Sequence, residues 1–77
     1  MPITVRYFAS LGDKLGRESD EIPAAAKMTA SHVWQQAVGD LEMPGNTLVA
    51  INQDYAELDQ PVKDGDEVAF FPPVTGG

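Results

Sequence analysis

The chain has 77 residues, twelve of them acidic and five basic, which gives a formal charge of −7. This length predicts a single domain over residues 1–77, and the charge disfavours nucleic acid and membranes as partners, because anionic partners need clustered cations. The chain has no cysteine and one histidine, which excludes disulfides, a thiolate nucleophile and a multi-histidine metal site within one chain.

The acidic balance has two open interpretations. It serves solubility alone, or it favours a basic protein surface as partner and raises the encounter rate. No apolar run approaches the roughly 20 residues that span a bilayer. Residues 1–6 lack the basic and apolar regions of a signal peptide, so we expect a cytoplasmic protein.

The N-terminal segment predicts a strand followed by a short helical turn. Apolar and polar residues alternate from about Ile3 to Phe8, which is typical of a half-buried strand. Ser10 is suited to cap a helical turn that runs through Lys14 and ends at Gly16.

A second strand and the main helix follow. Residues 18–24 are ambiguous, and we interpret them as a short strand whose one strong core candidate is Ile22. Thr29 is a good N-cap residue, and Gly39 is placed to end the helix. An apolar stripe at helical spacing is formed by Ala30, Val33, Trp34, Ala37 and Val38.

The C-terminal half alternates between turns and strands. In chain order the pattern predicts a turn at 43–46, a strand at 47–52, a turn at 52–54, a short strand at 55–57, a tight turn at 63–66 and a last strand at 67–71.

This element order predicts an α+β fold, in which a mixed sheet packs on one main helix plus a short helix. The first and last strands would pair at the centre of the sheet. The side chains expected to face the helix are those of Ile3, Val5, Ile22, Val49 or Leu48, Ile51, Val68 and Phe70. The opposite parity points Phe8, Ala69 and Phe71 outward.

Phe8 and Phe71 are therefore two exposed aromatic residues on one face of a small protein. They would lie close together if the first and last strands pair. They are either scattered surface apolar residues, which are normal, or a docking patch for a partner, which we favour.

The remaining polar residues do not assemble a catalytic site. The acidic clusters at 54–59 and 64–67 lack the spacing of a calcium loop and indicate a solvated rim. His32 has no positioned partner for catalysis, and Trp34 is better explained by packing between helix and sheet. Without a nucleophile–base pair, the chain is predicted not to be an enzyme on its own.

The chain ends in a projecting tail over residues 72–77. Pro72 and Pro73 cannot donate to a sheet ladder and favour an extended, semi-rigid exit. Gly76 and Gly77 lack a Cβ, so a partner can close tightly around them. The tail either presents its terminal carboxylate to another protein's active site or is a frayed end of small residues.

The run from Asp64 to Gly77, DGDEVAFFPPVTGG, closely resembles the C-terminus of the small, sulfur-carrying subunit of molybdopterin synthase. The segments at 5–9 (VRYFA) and 49–53 (VAINQ) fit the same family. The resemblance spans the chain and is weakest over residues 18–29. It implies the ubiquitin-like β-grasp fold of these sulfur carriers.

The resemblance also implies a chemistry for the terminal glycine. A ubiquitin-activating-like adenylyltransferase would use ATP to adenylate the carboxylate of Gly77, and a sulfur donor protein would convert it to a thiocarboxylate. The carrier would then dock on the large subunit of molybdopterin synthase and give its sulfur to cyclic pyranopterin monophosphate. Two such transfers build the dithiolene of molybdopterin.

Site residues follow from the same resemblance. Gly77 would carry the sulfur, and Gly76 would give steric access. The residues expected to contact partners are Phe8, Phe71, Pro72, Pro73, Val74 and Thr75. No stably bound cofactor and no metal is expected on this chain, because ATP would be consumed by the activating partner.

Two alternatives stay open. The chain is a sulfur carrier for thiamine synthesis or tRNA thiolation, since such carriers also look like β-grasp proteins that end in Gly-Gly. It is otherwise a ubiquitin-like modifier or a plain binding module. The element Phe70–Pro73 favours the molybdenum pathway, by resemblance only.

Overall fold

The computed structural model describes residues 2–39 and 47–72. Within them the elements are, in chain order, β1 (Ile3–Tyr7), α1 (Ser10–Leu15), β2 (Ser19–Ile22), α2 (Ala30–Val38), β3 (Leu48–Ile51), β4 (Asp54–Ala56) and β5 (Glu67–Phe71). The predicted α+β class is confirmed. The turn predicted at 43–46 lies outside the described residues.

The five strands form one mixed sheet in the order β2-β1-β5-β3-β4. β1 and β5 pair in parallel at its centre, and the other neighbouring strands are antiparallel. This confirms that the first and last strands pair. Because β1 and β5 are parallel, the segment between them must cross over the sheet, and α2 lies in that segment.

The core lies between α2 and one face of the sheet. Trp34 is 3% exposed, and its ring meets those of Tyr7 and Phe70 edge-on at centroid distances of 6.4 and 5.1 Å. This confirms the packing interpretation of Trp34. Val49 is buried while Leu48 is 36% exposed, which settles the parity left open for β3.

Two residues cap the start of α2 reciprocally. Thr29 Oγ1 accepts from the backbone N–H of His32, and the Thr29 N–H donates to His32 Nδ1 at 3.1 Å. His32 thus takes the place that glutamate usually holds in a capping box. The helix ends at Gly39, which has a φ of 76°. Glycine adopts such a positive φ without strain because it has no Cβ.

Several predicted boundaries shift in the structure. Ser10 is wrong as the N-cap of α1, because Ala9 holds that position, with φ 53° and no side-chain hydrogen bond. Gly16 ends α1 in the left-handed conformation, as expected. Both Asn52 and Gln53 have positive φ, so they form a two-residue hairpin turn and β4 begins one residue earlier than predicted.

Asp66 corrects the prediction of a solvated acidic rim. Its side chain is only 7% exposed. Its carboxylate accepts from the Lys63 N–H at 2.9 Å and from Asn52 Nδ2 at 3.0 Å. Asn52 Oδ1 in turn accepts from the Glu67 N–H at 3.0 Å. These bonds join the turn before β5 to the turn after β3, so Asp66 organises the sheet instead of facing solvent.

Candidate functional site

Phe8 and Phe71 lie side by side on the sheet face that points away from α2. Their ring centroids are 6.5 Å apart. Phe8 directly follows β1, and its N–H still donates to the Phe70 carbonyl at 3.0 Å. Phe8 is 47% exposed, and Phe71 is partly buried. The expected proximity of the two rings is confirmed, while their contact with partners stays a prediction.

Two further residues extend this apolar surface. Tyr55 on β4 is 77% exposed, and its ring centroid lies 5.8 Å from that of Phe71. Leu48 is paired with Phe71 across β3 and β5. We call Phe8, Leu48, Tyr55 and Phe71 the outer aromatic patch.

Sequence reasoning did not assign Tyr55 or Leu48 to this surface. The signal for Tyr55 was the Asn52-Gln53 dipeptide, because a two-residue turn fixes the hairpin register and hence the face of each β4 side chain. Neighbouring residues of a strand point their side chains to opposite faces of the sheet. Leu48 would therefore have been placed on the outer face once Val49 was assigned to the core.

An ion pair borders the outer aromatic patch. Arg6 Nε donates to Glu67 Oε2 at 2.9 Å between β1 and β5. The two side chains are 51% and 31% exposed. An exposed pair of this kind contributes at most about 1 kcal/mol to stability. Its main consequence is that the two charges beside the patch compensate each other.

The C-terminal tail leaves the sheet at this patch. Pro72 comes directly after Phe71, at the end of β5, and is half-buried. Pro73, Val74, Thr75, Gly76 and Gly77 lie outside the described residues. Five extended residues reach about 17 Å.

Tyr7, at the end of β1, is a buried titratable residue with a structural role. Tyr7 donates its hydroxyl to Asp20 Oδ2 at 2.9 Å, and the Arg17 guanidinium lies 5.7 Å from the centre of its ring. Burial, and then the hydrogen bond to Asp20, raise the pKa of Tyr7 to about 12. Tyr7 is therefore neutral at physiological pH and ties β1 to β2.

Other candidate chemistry is sparse in the part of the chain that the structure describes. No group of three or more His, Asp or Glu side chains there could hold a metal ion. The ring of His32 is engaged in the cap of α2. No helix among residues 2–39 and 47–72 is long and apolar enough to cross a membrane. Among the described residues, the most distinctive surface feature is the outer aromatic patch at the end of β5.

The sequence is similar to those of known proteins over nearly its whole length. A family model described as the ThiS family matches residues 5–77. The molybdopterin synthase sulfur carrier subunit of Escherichia coli K12 is 38% identical to this chain, over 97% of the chain and 99% of that protein.

Solved structures confirm the fold. The crystal structure of SAMP1, small archaeal modifier protein 1, from Haloferax volcanii superposes with a TM-score of 0.83 at 26% identity and covers 100% of both chains. A chain from the complex of subunits 1 and 2 of molybdopterin-converting factor from Helicobacter pylori has a TM-score of 0.64 at 30% identity, again over 100% of both chains. The predicted ubiquitin-like β-grasp fold is thereby confirmed.

Proposed function

The chain belongs to the ThiS family, and on that premise we propose that it is the sulfur carrier subunit of a molybdopterin synthase. The observation that carries the proposal is the position of the outer aromatic patch at the strand end from which the Gly-Gly tail departs. The name of the Escherichia coli relative supports the molybdenum pathway.

The chemistry takes place at the carboxylate of Gly77. A terminal carboxylate ordinarily has a pKa of about 3.5, so it is ionised at neutral pH and is a poor electrophile. Its oxygen attacks the α-phosphorus of ATP on an activating enzyme, and pyrophosphate leaves. Sulfur at the sulfide level, delivered as HS⁻ by a donor protein, then bonds to the carbonyl carbon, AMP leaves as its C–O bond to that carbon breaks, and the S–H proton goes to solvent. The product is a thiocarboxylate, which gives a sulfur carrier that needs no cysteine.

The thiocarboxylate is then delivered by docking. The outer aromatic patch binds the large synthase subunit, and Pro72, Pro73, Val74 and Thr75 lead the tail into that subunit's active site. Gly76 has no Cβ, so the walls of a narrow channel can approach its backbone. The thiocarboxylate sulfur bonds to a carbon of cyclic pyranopterin monophosphate, and water then cleaves the C–S bond at Gly77, which returns the tail to its carboxylate. The Helicobacter pylori complex of subunits 1 and 2 supports such an assembly.

Under this proposal the catalytic groups belong to the partners. The activating enzyme supplies the nucleotide site, and the large subunit supplies the pterin site and its acids and bases. The chain itself is not an enzyme, binds no cofactor stably and works in the cytoplasm, where ATP is available. Its own contribution is a binding surface and a transferable atom.

A ubiquitin-like modifier is the second candidate, and the similarity to SAMP1 favours it. A modifier would end with Gly77 in an isopeptide bond to a lysine of another protein. A third possibility is a sulfur carrier for thiamine or tRNA thiolation, which the match to the ThiS family does not exclude. The modifier and this carrier would also use an activated Gly77, and they differ from the molybdenum pathway in the molecule that accepts the acyl group or the sulfur.

The test is a reconstituted synthase reaction. The chain is combined with the activating enzyme, ATP, a sulfur source, the large subunit and cyclic pyranopterin monophosphate, and dithiolene formation is measured. The control is the same chain without Gly77. We expect product only with the intact chain. Mass mapping that finds lysine adducts of Gly77 and no dithiolene would instead favour the modifier.

A further inference from the structure

The outer face of the sheet contains a depression with a floor of two alanine residues. Ala50 and Ala69 are paired across β3 and β5 and lie on the face away from α2. They are nevertheless only 9% and 7% exposed. Larger neighbours surround them, and the depression is lined by Arg6, Phe8, Ala50, Gln53, Glu67, Ala69 and Phe71.

The strand register explains the walls. Arg6 is paired with Ala69 across β1 and β5, and Tyr55 is paired with Ala50 across β3 and β4. The alanine row is therefore bounded by a long side chain at each end. Phe71, two residues after Ala69 on β5, borders the row on the side of the tail, and its ring stands next to that of Phe8.

The residues that line the depression determine which kind of ligand group it can hold. The floor is made of methyl groups, and the wall beside the tail is aromatic. The remaining lining residues are the uncharged Gln53 and the pair Arg6 and Glu67, whose charges compensate each other through the 2.9 Å hydrogen bond from Nε to Oε2. No uncompensated charge of this pair remains for an ionic ligand. An uncharged, apolar side chain is the group that such a depression accommodates best.

The tail identifies which protein supplies that side chain. Phe71 forms a wall of the depression and is followed by Pro72 and then by five further residues. The residues 73–77 reach about 17 Å when extended. A globular protein that encloses Gly77 therefore lies within about 17 Å of the end of β5, which is the end of the strand that Phe71 and the depression share.

We propose that the depression receives one bulky apolar side chain, a leucine, methionine or phenylalanine, from the large synthase subunit. The inference rests on the proposed function, since that function names the protein which holds the tail. It adds a second contact to the aromatic patch, because the patch supplies projecting rings while the alanine row supplies a recess for the partner's own side chain.

The absence of native cysteine allows a direct test. The variants Ala69→Cys and Ala50→Cys each introduce a single thiol at the floor of the depression. Their rates of reaction with methyl methanethiosulfonate are measured in the free chain and with saturating large subunit. The matched control is Gln35→Cys, at an exposed position of α2 on the other side of the sheet.

We expect the large subunit to slow the reaction of both floor thiols at least tenfold and that of the control less than twofold. Floor thiols that react equally fast in the complex, or that are protected no more than the control, would overturn the inference and leave the proposed function intact. A free chain whose floor thiols do not react at all would also overturn it. An unmodified chain that does not bind the large subunit would overturn the proposed function itself.

A second experiment fills the depression with a larger side chain of the protein itself. Ala69→Leu should weaken binding of the large subunit at least tenfold, while Gln35→Leu should change it less than twofold. Thermal unfolding of each variant verifies that the chain is folded. Unchanged affinity in a folded Ala69→Leu chain would contradict the inference.

Discussion

The rings of Phe8 and Phe71 lie 6.5 Å apart although one residue follows the first strand and the other ends the last. Parallel pairing of β1 with β5 at the centre of the sheet causes this proximity. The same pairing places the exit of the tail beside both rings. Phe71 thus links the two features, since it belongs to the outer aromatic patch and directly precedes Pro72.

Phe71→Ala tests whether the outer aromatic patch binds the large subunit. The substitution removes the ring that contacts both Phe8 and Tyr55. We expect affinity for the large subunit to fall by roughly 1–3 kcal/mol, as for an interfacial hot spot. Isothermal titration calorimetry measures it.

The control for this variant is Leu58→Ala. Leu58 is 38% exposed but lies outside the patch, in the loop after β4. Its substitution should leave the affinity unchanged. If Phe71→Ala binds as tightly as the unmodified chain, Phe71 is not an anchor.

Asp66→Ala should destabilise the fold. The variant leaves the Lys63 N–H and Asn52 Nδ2 without their acceptor at a buried position. The expected loss is about 1–3 kcal/mol in the free energy of unfolding. Chemical denaturation measures it, and Asp59→Ala, at an exposed position, is the matched control. Equal stability of the two variants would show that the Asp66 bonds contribute nothing.

The raised pKa of Tyr7 predicts a loss of stability at high pH. In the unfolded chain the phenol ionises near its ordinary pKa of 10.0, whereas in the fold it does so at about 12. The stabilisation is complete below pH 10 and disappears as the pH rises through 12, because the unfolded chain releases its proton first. The total change is about 3 kcal/mol at most.

Denaturation curves between pH 8 and pH 12 measure this effect. Tyr7→Phe is the control, since it retains the ring and lacks the ionisable group. The slope of stability against pH should be shallower in the variant. Identical slopes for both chains would refute a raised pKa at Tyr7.

Ala9→Gly should stabilise the protein. Ala9 adopts φ 53° and ψ −132°, a sparsely populated combination for an L-residue that costs on the order of 1–3 kcal/mol. Glycine removes this strain but loses more backbone entropy on folding, so the expected net gain is about 1 kcal/mol. Thermal unfolding is the measurement. Ala24→Gly, at an exposed position whose own φ is not positive, should destabilise instead.

Alternation and helical spacing predicted much of the fold. The period of two placed Ile3, Val5, Val68 and Phe70 on the core face, and all are fully buried. Thr29 indicated the start of α2 through its capping oxygen. These signals are local, so they can be derived from neighbouring residues in the chain.

Features that depend on distant contacts were not predictable in this way. Asp66 has the polar character of a turn residue, and only its pairing with Asn52 across two turns explains its burial. The face on which Tyr55 lies depends on the register of the hairpin between β3 and β4. The sequence pattern predicted a turn of three residues in this hairpin, whereas the structure has two. The alanine depression arises from four strands lying side by side, which no single segment encodes.

The central claim is that Gly77 carries transferable sulfur. The most direct test is the intact mass of the chain after incubation with the activating enzyme, ATP and a sulfur donor, with fragmentation to locate the change. The account predicts exchange of one oxygen for one sulfur at Gly77, and no exchange when a single residue is added after it. Dithiolene synthesis by a chain whose terminal carboxylate is amidated, with no sulfur at Gly77, would contradict the account.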